Sequence, residues 1–209
     1  MVKIEFFHDV ICSFCFPMSY RMRQIQAEEE DIEIIHRSFA LIVTPEDFIP
    51  DFGSREAAKA QIVTHWEQAN KNDDLHRFNI DGMLKTDFLF PTSMPALTAC
   101  KAAGIVGGND DYWDLFDALQ QAFFVETRNV EDVAVIEDCA RKQSFDFDGW
   151  KKAFADPSTR QAVEADFGLV QSYGIQVVPT LVMNGKVMMN GAQSKETIKA
   201  AIAEARRLG

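Results

Sequence analysis

The sequence predicts an α/β fold interrupted by a large all-helical insertion, and three features predict it. Strand-like segments stand only near the two ends of the chain, with helical periodicity between them. A C-x-x-C pair, Cys12 and Cys15, lies where the first strand gives way to the first helix. Pro179 opens the third strand after Val177 and Val178, a place proline can hold because it donates no ladder hydrogen bond.

Each element follows from its own pattern. Lys3 to Phe7 sets Ile4 and Phe6 against Glu5 and Phe7 and reads as a strand. Helix one begins at the cysteine pair, with Met18, Met22 and Ile25 at i, i+4 and i+7. Glu28, Glu29, Glu30 and Asp31 oppose the dipole at its end, so the run is expected in a solvated turn without a function. Ile32 to Leu41 is a second strand, and strand–helix–strand implies a crossover and parallel pairing. From Val43 to Asp156 successive helices are punctuated by proline and glycine. One helix carries Trp113, Phe116, Leu119 and Phe123 on a face, and another stripe joins Val130, Val133, Ile136 and Ala140. Asp156 caps a helix that has Pro157 at its first position, Val163, Phe167 and Val170 on its apolar side, and Gly174 as its stop. Thr180–Met183 and 186–190 flank Asn184-Gly185, which favours a two-residue hairpin because both central positions need positive φ. Ser194 caps a last helix with Ile198, Ala201, Ile202 and Ala205 on one side.

Removing 43–156 leaves strand, helix, strand, then helix, strand, strand, helix. That order is the thioredoxin fold. Residues 1–42 and 157–209 are therefore expected to form a thioredoxin-like domain, and 43–156 an inserted helical domain packed beside its sheet.

Composition narrows the function. A net charge of −11 sets an acidic surface against phosphate, which disfavours nucleic acid and anionic membrane as partners. Met1 to Phe7 runs straight into a strand without the pattern of a secretory signal, and no apolar stretch reaches membrane-spanning length. A cytoplasmic location is expected. Four cysteines are too few to staple 209 residues, and in a reducing compartment a close pair is catalytic, redox-sensing or metal-binding.

The context of the pair separates these options. At a helix start, unpaired N–H groups and the dipole favour negative charge, hence thiolate. Cys12 is expected to be the nucleophile and Cys15, one turn on, the resolving thiol that attacks a mixed disulfide. The Val178–Pro179 bond is expected to be cis, exposing Val178 backbone groups to an extended partner. No dissociable cofactor is required.

The run Asp9-Val10-Ile11-Cys12-Ser13-Phe14-Cys15, with Val178-Pro179-Thr180-Leu181, Asn184-Gly185-Lys186 and Gly191-Ala192-Gln193, resembles the DsbA family, and within it the cytoplasmic FrnE-like subgroup. The likeness spans nearly the whole chain. It implies a thioredoxin core with an inserted helical domain, a peptide-binding groove between them, and catalysis by Cys12, Cys15 and cis Pro179. Ser13, Phe14, Val178 and Thr180 are the expected substrate contacts, and cysteine-containing proteins or peptides, or glutathione, the partners.

Three positions depart from the family. Ser13 stands where the subgroup often has proline, which bears on the reduction potential. Phe6 stands where thioredoxin and DsbA keep a buried acid; His8 and Asp9 are the nearby substitutes, with a surface role expected for them. Pro17 falls early in helix one, where it is expected to remove a helical bond and kink the active-site turn.

Of the rest, Cys100 and Cys139 read as inert core, and His36, His65 and His76 as surface residues without metal spacing. Met183, Met188 and Met189 are expected to pack in the hairpin, and residues 104–109 to form a glycine-rich loop. Two rivals share the pattern: a glutathione-dependent isomerase or kappa-type glutathione transferase, which usually has serine in place of Cys12, and a redox sensor or zinc clasp made from two chains.

Overall fold

The computed structural model describes residues 1–209. Its sheet has the order β2-β1-β3-β4. β1 (Val2–His8) occupies an interior position, which explains why Glu5 and Phe7 are buried along with Ile4 and Phe6. β2 (Ile32–Ser38) runs parallel to it, from Val2 opposite Ile32 to His8 opposite Ser38. β3 (Thr180–Met183) is antiparallel to β1, with Phe7 opposite Thr180, and β4 (Val187–Asn190) completes the hairpin. α1 (Cys15–Glu28) is the crossover between the parallel strands and buries Met18, Met22 and Ile25.

The inserted segment consists of helices joined by loops and contributes no strand. A short 3-10 turn (Pro45–Phe48) leads into α2 (Ile49–Phe52), α3 (Arg55–Asn72), α4 (Ile80–Lys85), α5 (Met94–Gly107), α6 (Asn109–Phe124), α7 (Val133–Arg141) and α8 (Phe147–Ala155). α9 (Pro157–Tyr173) and α10 (Lys195–Leu208) follow. The expected caps are present: Asp156 accepts from Ser158 N–H, Gly174 is left-handed with φ of 65°, and Ser194 accepts from Thr197 N–H. Ile4 and Phe6 share one continuous core with Trp66, Trp113 and Phe116 of the insertion, so the insertion covers the sheet itself. On the opposite face Phe7 and Val182 pack with Ile175, against Leu169 and Val170 of α9. No helix is long and apolar enough to cross a membrane.

Several local expectations are corrected. Residues 104–107 are not loop; α5 continues to Gly107 and breaks only at Gly108, where φ is 92°. Val133 is exposed and Val130 precedes α7, so that stripe reduces to Ile136 and Ala140, joined by Cys139. Met188 is likewise exposed. Pro17 is the third residue of α1, within the first turn whose N–H groups have no intrahelical acceptor, so it removes no helix bond. Asn184 and Gly185 have φ of 51° and 65°, and Lys186 N–H closes the turn on Met183 C=O. The ladder then resumes with Met183 opposite Val187, leaving Lys186 outside it. The acidic run 28–31 meets α10: Glu28 pairs with Lys195 and Lys199, Glu29 with Arg206 at 2.7 Å, and Asp31 with Arg206.

Candidate active site

β1 ends at His8, and the next six residues make the turn that carries Cys12 and leads into Cys15 at the start of α1. Cys12 N–H donates to Asp9 C=O at 3.2 Å and Cys15 N–H to Cys12 C=O at 3.1 Å, so the turn winds directly into α1. The helix starts at Cys15, which places Cys12 just ahead of its N-terminal end. All four cysteines are free thiols. The Cys12 thiol lies 3.5 Å from the Val178 carbonyl oxygen and donates to it, across 166 residues of sequence. The Val178–Pro179 bond is cis.

The two sulfurs differ in environment. Cys12 retains 5% exposure, whereas Cys15 has none. Burial pushes the Cys15 thiol well above the ordinary range, and the adjacent Cys12 sulfur, which hydrogen-bonds it, adds to the rise. Cys100 and Cys139 are buried in the insertion, and burial raises both thiols.

Of the other expected contacts, Ser13 and Phe14 are half-buried, with Phe14 packed against the core. Val178 is half-buried beside an exposed Val177. Thr180 is different. Its hydroxyl donates to Val177 C=O at 2.7 Å and sits 2.9 Å from the Asn190 side-chain amide, in a fully buried position. Thr180 therefore ties the Val177–Val178 segment to β4, and its side chain has no exposed surface.

His8 and Asp9 are not surface residues; both have zero exposure. Asp9 Oδ1 accepts from Ile11 N–H at 3.3 Å, and Oδ2 accepts from Leu41 N–H at 2.7 Å and from the Ser93 hydroxyl at 2.6 Å. Burial raises its carboxyl to about 6, against the opposing pull of those donors. Its charge also contributes to the rise at Cys15. His36 is buried as well, with His8 Nε2 and His36 Nδ1 2.9 Å apart. His36 stacks on Tyr112, and Trp113 and Phe116 of α6 also pack on the pair. Their burial follows from register: His8 and Ser38 are cross-strand partners, as are Phe6 and His36, on the face that α6 covers. His65 and His76 are exposed as expected. Sequence reasoning missed Ser93 altogether, because nothing local distinguishes a serine before a helix from any other cap.

The arrangement can hold a nucleophilic sulfur at a helix start, a second sulfur buried behind it and, in the same turn, a buried carboxyl whose charge acts on that second sulfur. Comparison with solved structures places this geometry in a known fold. A Nitrosomonas europaea protein described as a candidate protein disulfide isomerase superposes with a TM-score of 0.79 at 19% identity, covering 99% of this chain and 98% of that one. The cytosolic disulfide reductase DsbM from Pseudomonas aeruginosa gives 0.76 at 16% identity, covering 99% and 100%. A 2-hydroxychromene-2-carboxylate isomerase gives 0.69 at 12% identity, covering 99% and 97%. No curated protein matches the sequence. The family model of the DSBA-like thioredoxin domain matches residues 3–203, a span that takes in both halves of the sheet and the whole helical insertion. The chain thus belongs to the DsbA-like thioredoxin-domain family.

Proposed function

We propose that the protein is a thiol–disulfide oxidoreductase that exchanges its Cys12–Cys15 dithiol with disulfides of proteins, peptides or glutathione. The observation that carries this reading is the approach of the Cys12 sulfur to the Val178 carbonyl beside cis Pro179, with Cys15 one turn behind. Cys12, at the positive end of α1, attacks the partner disulfide. The partner strand pairs with the Val178 backbone, and Pro179 holds that segment in place. Cys15 then displaces the partner thiolate and closes the Cys12–Cys15 bond. Asp9 takes the Cys15 proton, a role its burial and raised carboxyl suit. Exposed Leu41 and Val177 with half-buried Phe14 offer an apolar rim to an unfolded chain.

In a cytoplasmic setting the direction is reduction of the partner, in keeping with the disulfide reductase among the structural neighbours. The hairpin turn and the 191–193 turn favour the FrnE-like subgroup. Cys12→Ser is expected to abolish reduction of insulin disulfides, a loss of at least 100-fold, and Cys15→Ser to accumulate mixed disulfides with client proteins. The rival reading is a glutathione-dependent isomerase or kappa-type transferase; a DsbM structure with glutathione and the chromene isomerase share the fold. It expects Cys15→Ser to retain full activity on a glutathione-dependent substrate and to trap nothing.

A further inference from the structure

Ser93 is separated from Asp9 by 84 residues and belongs to the inserted segment, yet its hydroxyl donates to the carboxyl whose charge acts on the Cys15 thiol. Ser93 and Asp9 are both without solvent exposure. Ser93 Oγ accepts from Ile42 N–H at 3.0 Å, and Ser93 N–H donates to Ile42 C=O at 2.8 Å, so two backbone bonds fix the residue. Its single hydroxyl hydrogen then points to Asp9 Oδ2, 2.6 Å away. The same oxygen accepts from Leu41 N–H at 2.7 Å. Three donors thus converge on one buried carboxylate, and the only side chain among them comes from the insertion.

We propose that Ser93 is a positioning residue for the exchange reaction: its hydroxyl holds the Asp9 carboxylate ionised and oriented to take the proton of Cys15 as the resolving disulfide closes. The inference rests on the exchange reading above. In the closing step the Cys15 sulfur bonds to Cys12 Sγ and the bond from Cys12 to the partner sulfur breaks. The electron pair leaves on the partner thiolate, and the Cys15 proton passes to Asp9 and then to that thiolate. The partner disulfide is the only oxidant. The physical reason for a hydroxyl is that burial favours the protonated acid, which cannot accept a proton, while a charge-assisted hydrogen bond favours the carboxylate. Ser93 opposes burial at Asp9 in this sense.

The test uses the whole reduced protein and Ellman's reagent. The first thionitrobenzoate released reports attack by Cys12, and the second reports closure by Cys15. The rate of the second release is followed from pH 5 to 8. Wild type is expected to lose closure rate on the acid side with a midpoint near 6, the value for Asp9. Loss of one charge-assisted bond moves that midpoint up by about one pH unit in Ser93→Ala, slowing closure at pH 6 about five-fold. Ser93→Thr, which keeps the hydroxyl, is expected to restore the wild-type midpoint. Ser93→Cys, with a weaker donor, is expected to shift it part of the way, and serves where the alanine variant does not fold. An unmoved midpoint in a folded Ser93→Ala or Ser93→Cys variant overturns the proposal, as does an equal slowing of both releases. Absence of any second release from wild type would instead overturn the exchange reading itself.

Discussion

Asp9, His8 and His36 are buried where their charged forms are disfavoured, but the two residue types respond to pH in opposite directions. The Asp9 carboxyl moves from 3.8 to about 6, so the folded protein binds its proton more tightly than the unfolded chain does. That favours folding at low pH, and the advantage is lost as pH rises from about 4 to 6, a cost of about 3 kcal/mol when complete. The imidazoles behave in reverse. Burial lowers His36 to about 3 and His8 well below its ordinary value, so the unfolded chain takes up protons below about 6.5 that the folded protein refuses. Between pH 6 and 4 two imidazoles act against one carboxyl, and acid is expected to destabilise the protein. Asp9→Asn removes the opposing group, so its unfolding free energy in urea should fall about twice as steeply with acidification over that window. Equal slopes for the variant and wild type would contradict the assignment of these buried groups.

At the scale of elements, α1 is held in two unequal ways. Arg21 is buried, and its guanidinium donates to both carboxylate oxygens of Asp74 at 2.9 and 2.8 Å, to Asn72 Oδ1 at 3.0 Å, to Asn72 C=O and to Gln193 C=O at 3.0 Å. One side chain thereby ties α1 to the end of α3 and to the Gly191-Ala192-Gln193 turn, which gives that motif a structural reason. The helix end is tied to α10 by exposed pairs such as Glu28 with Lys199. Arg21→Leu strips two partly buried carbonyls and a half-exposed carboxylate of their donor and is expected to cost about 1–2 kcal/mol. Lys199→Ala breaks a hydrated pair and is expected to cost less than about 0.5 kcal/mol. Urea unfolding of the two variants checks the ranking, and equal losses would show that the network around Arg21 carries no special weight.

On the scale of the whole molecule, the elements set by neighbouring residues were readable in the chain. Asp156-Pro157 and Gly174 mark the two ends of α9, Asn184-Gly185 makes its turn, and the order of strands and helices names the fold. What escaped depends on distant covering. His36 and Asp9 look like surface residues until α6 and the 41–42 segment close over them, and the placement of those pieces is not written in local periodicity. The acidic run at 28–31 is in the same position, since its cationic partners lie more than 160 residues away. Of the candidate site, the two cysteines and the proline could be named from the chain, since chemistry restricts such positions to few residue types, and the fold brings Cys12 within 3.5 Å of the Val178 carbonyl beside Pro179. The site was illegible in Ser93, whose role exists only because the insertion folds back onto Asp9.

Equilibration of the protein with mixtures of reduced and oxidised glutathione, with peptide mapping of the trapped thiols, tests the account most directly. A reversible two-electron transition is expected, forming one disulfide between Cys12 and Cys15 and shifting about 30 mV per tenfold change in the equilibrium constant, while Cys100 and Cys139 remain thiols. Persistence of the Cys12 and Cys15 thiols across the whole range, or a first disulfide that involves Cys100 or Cys139, would contradict it.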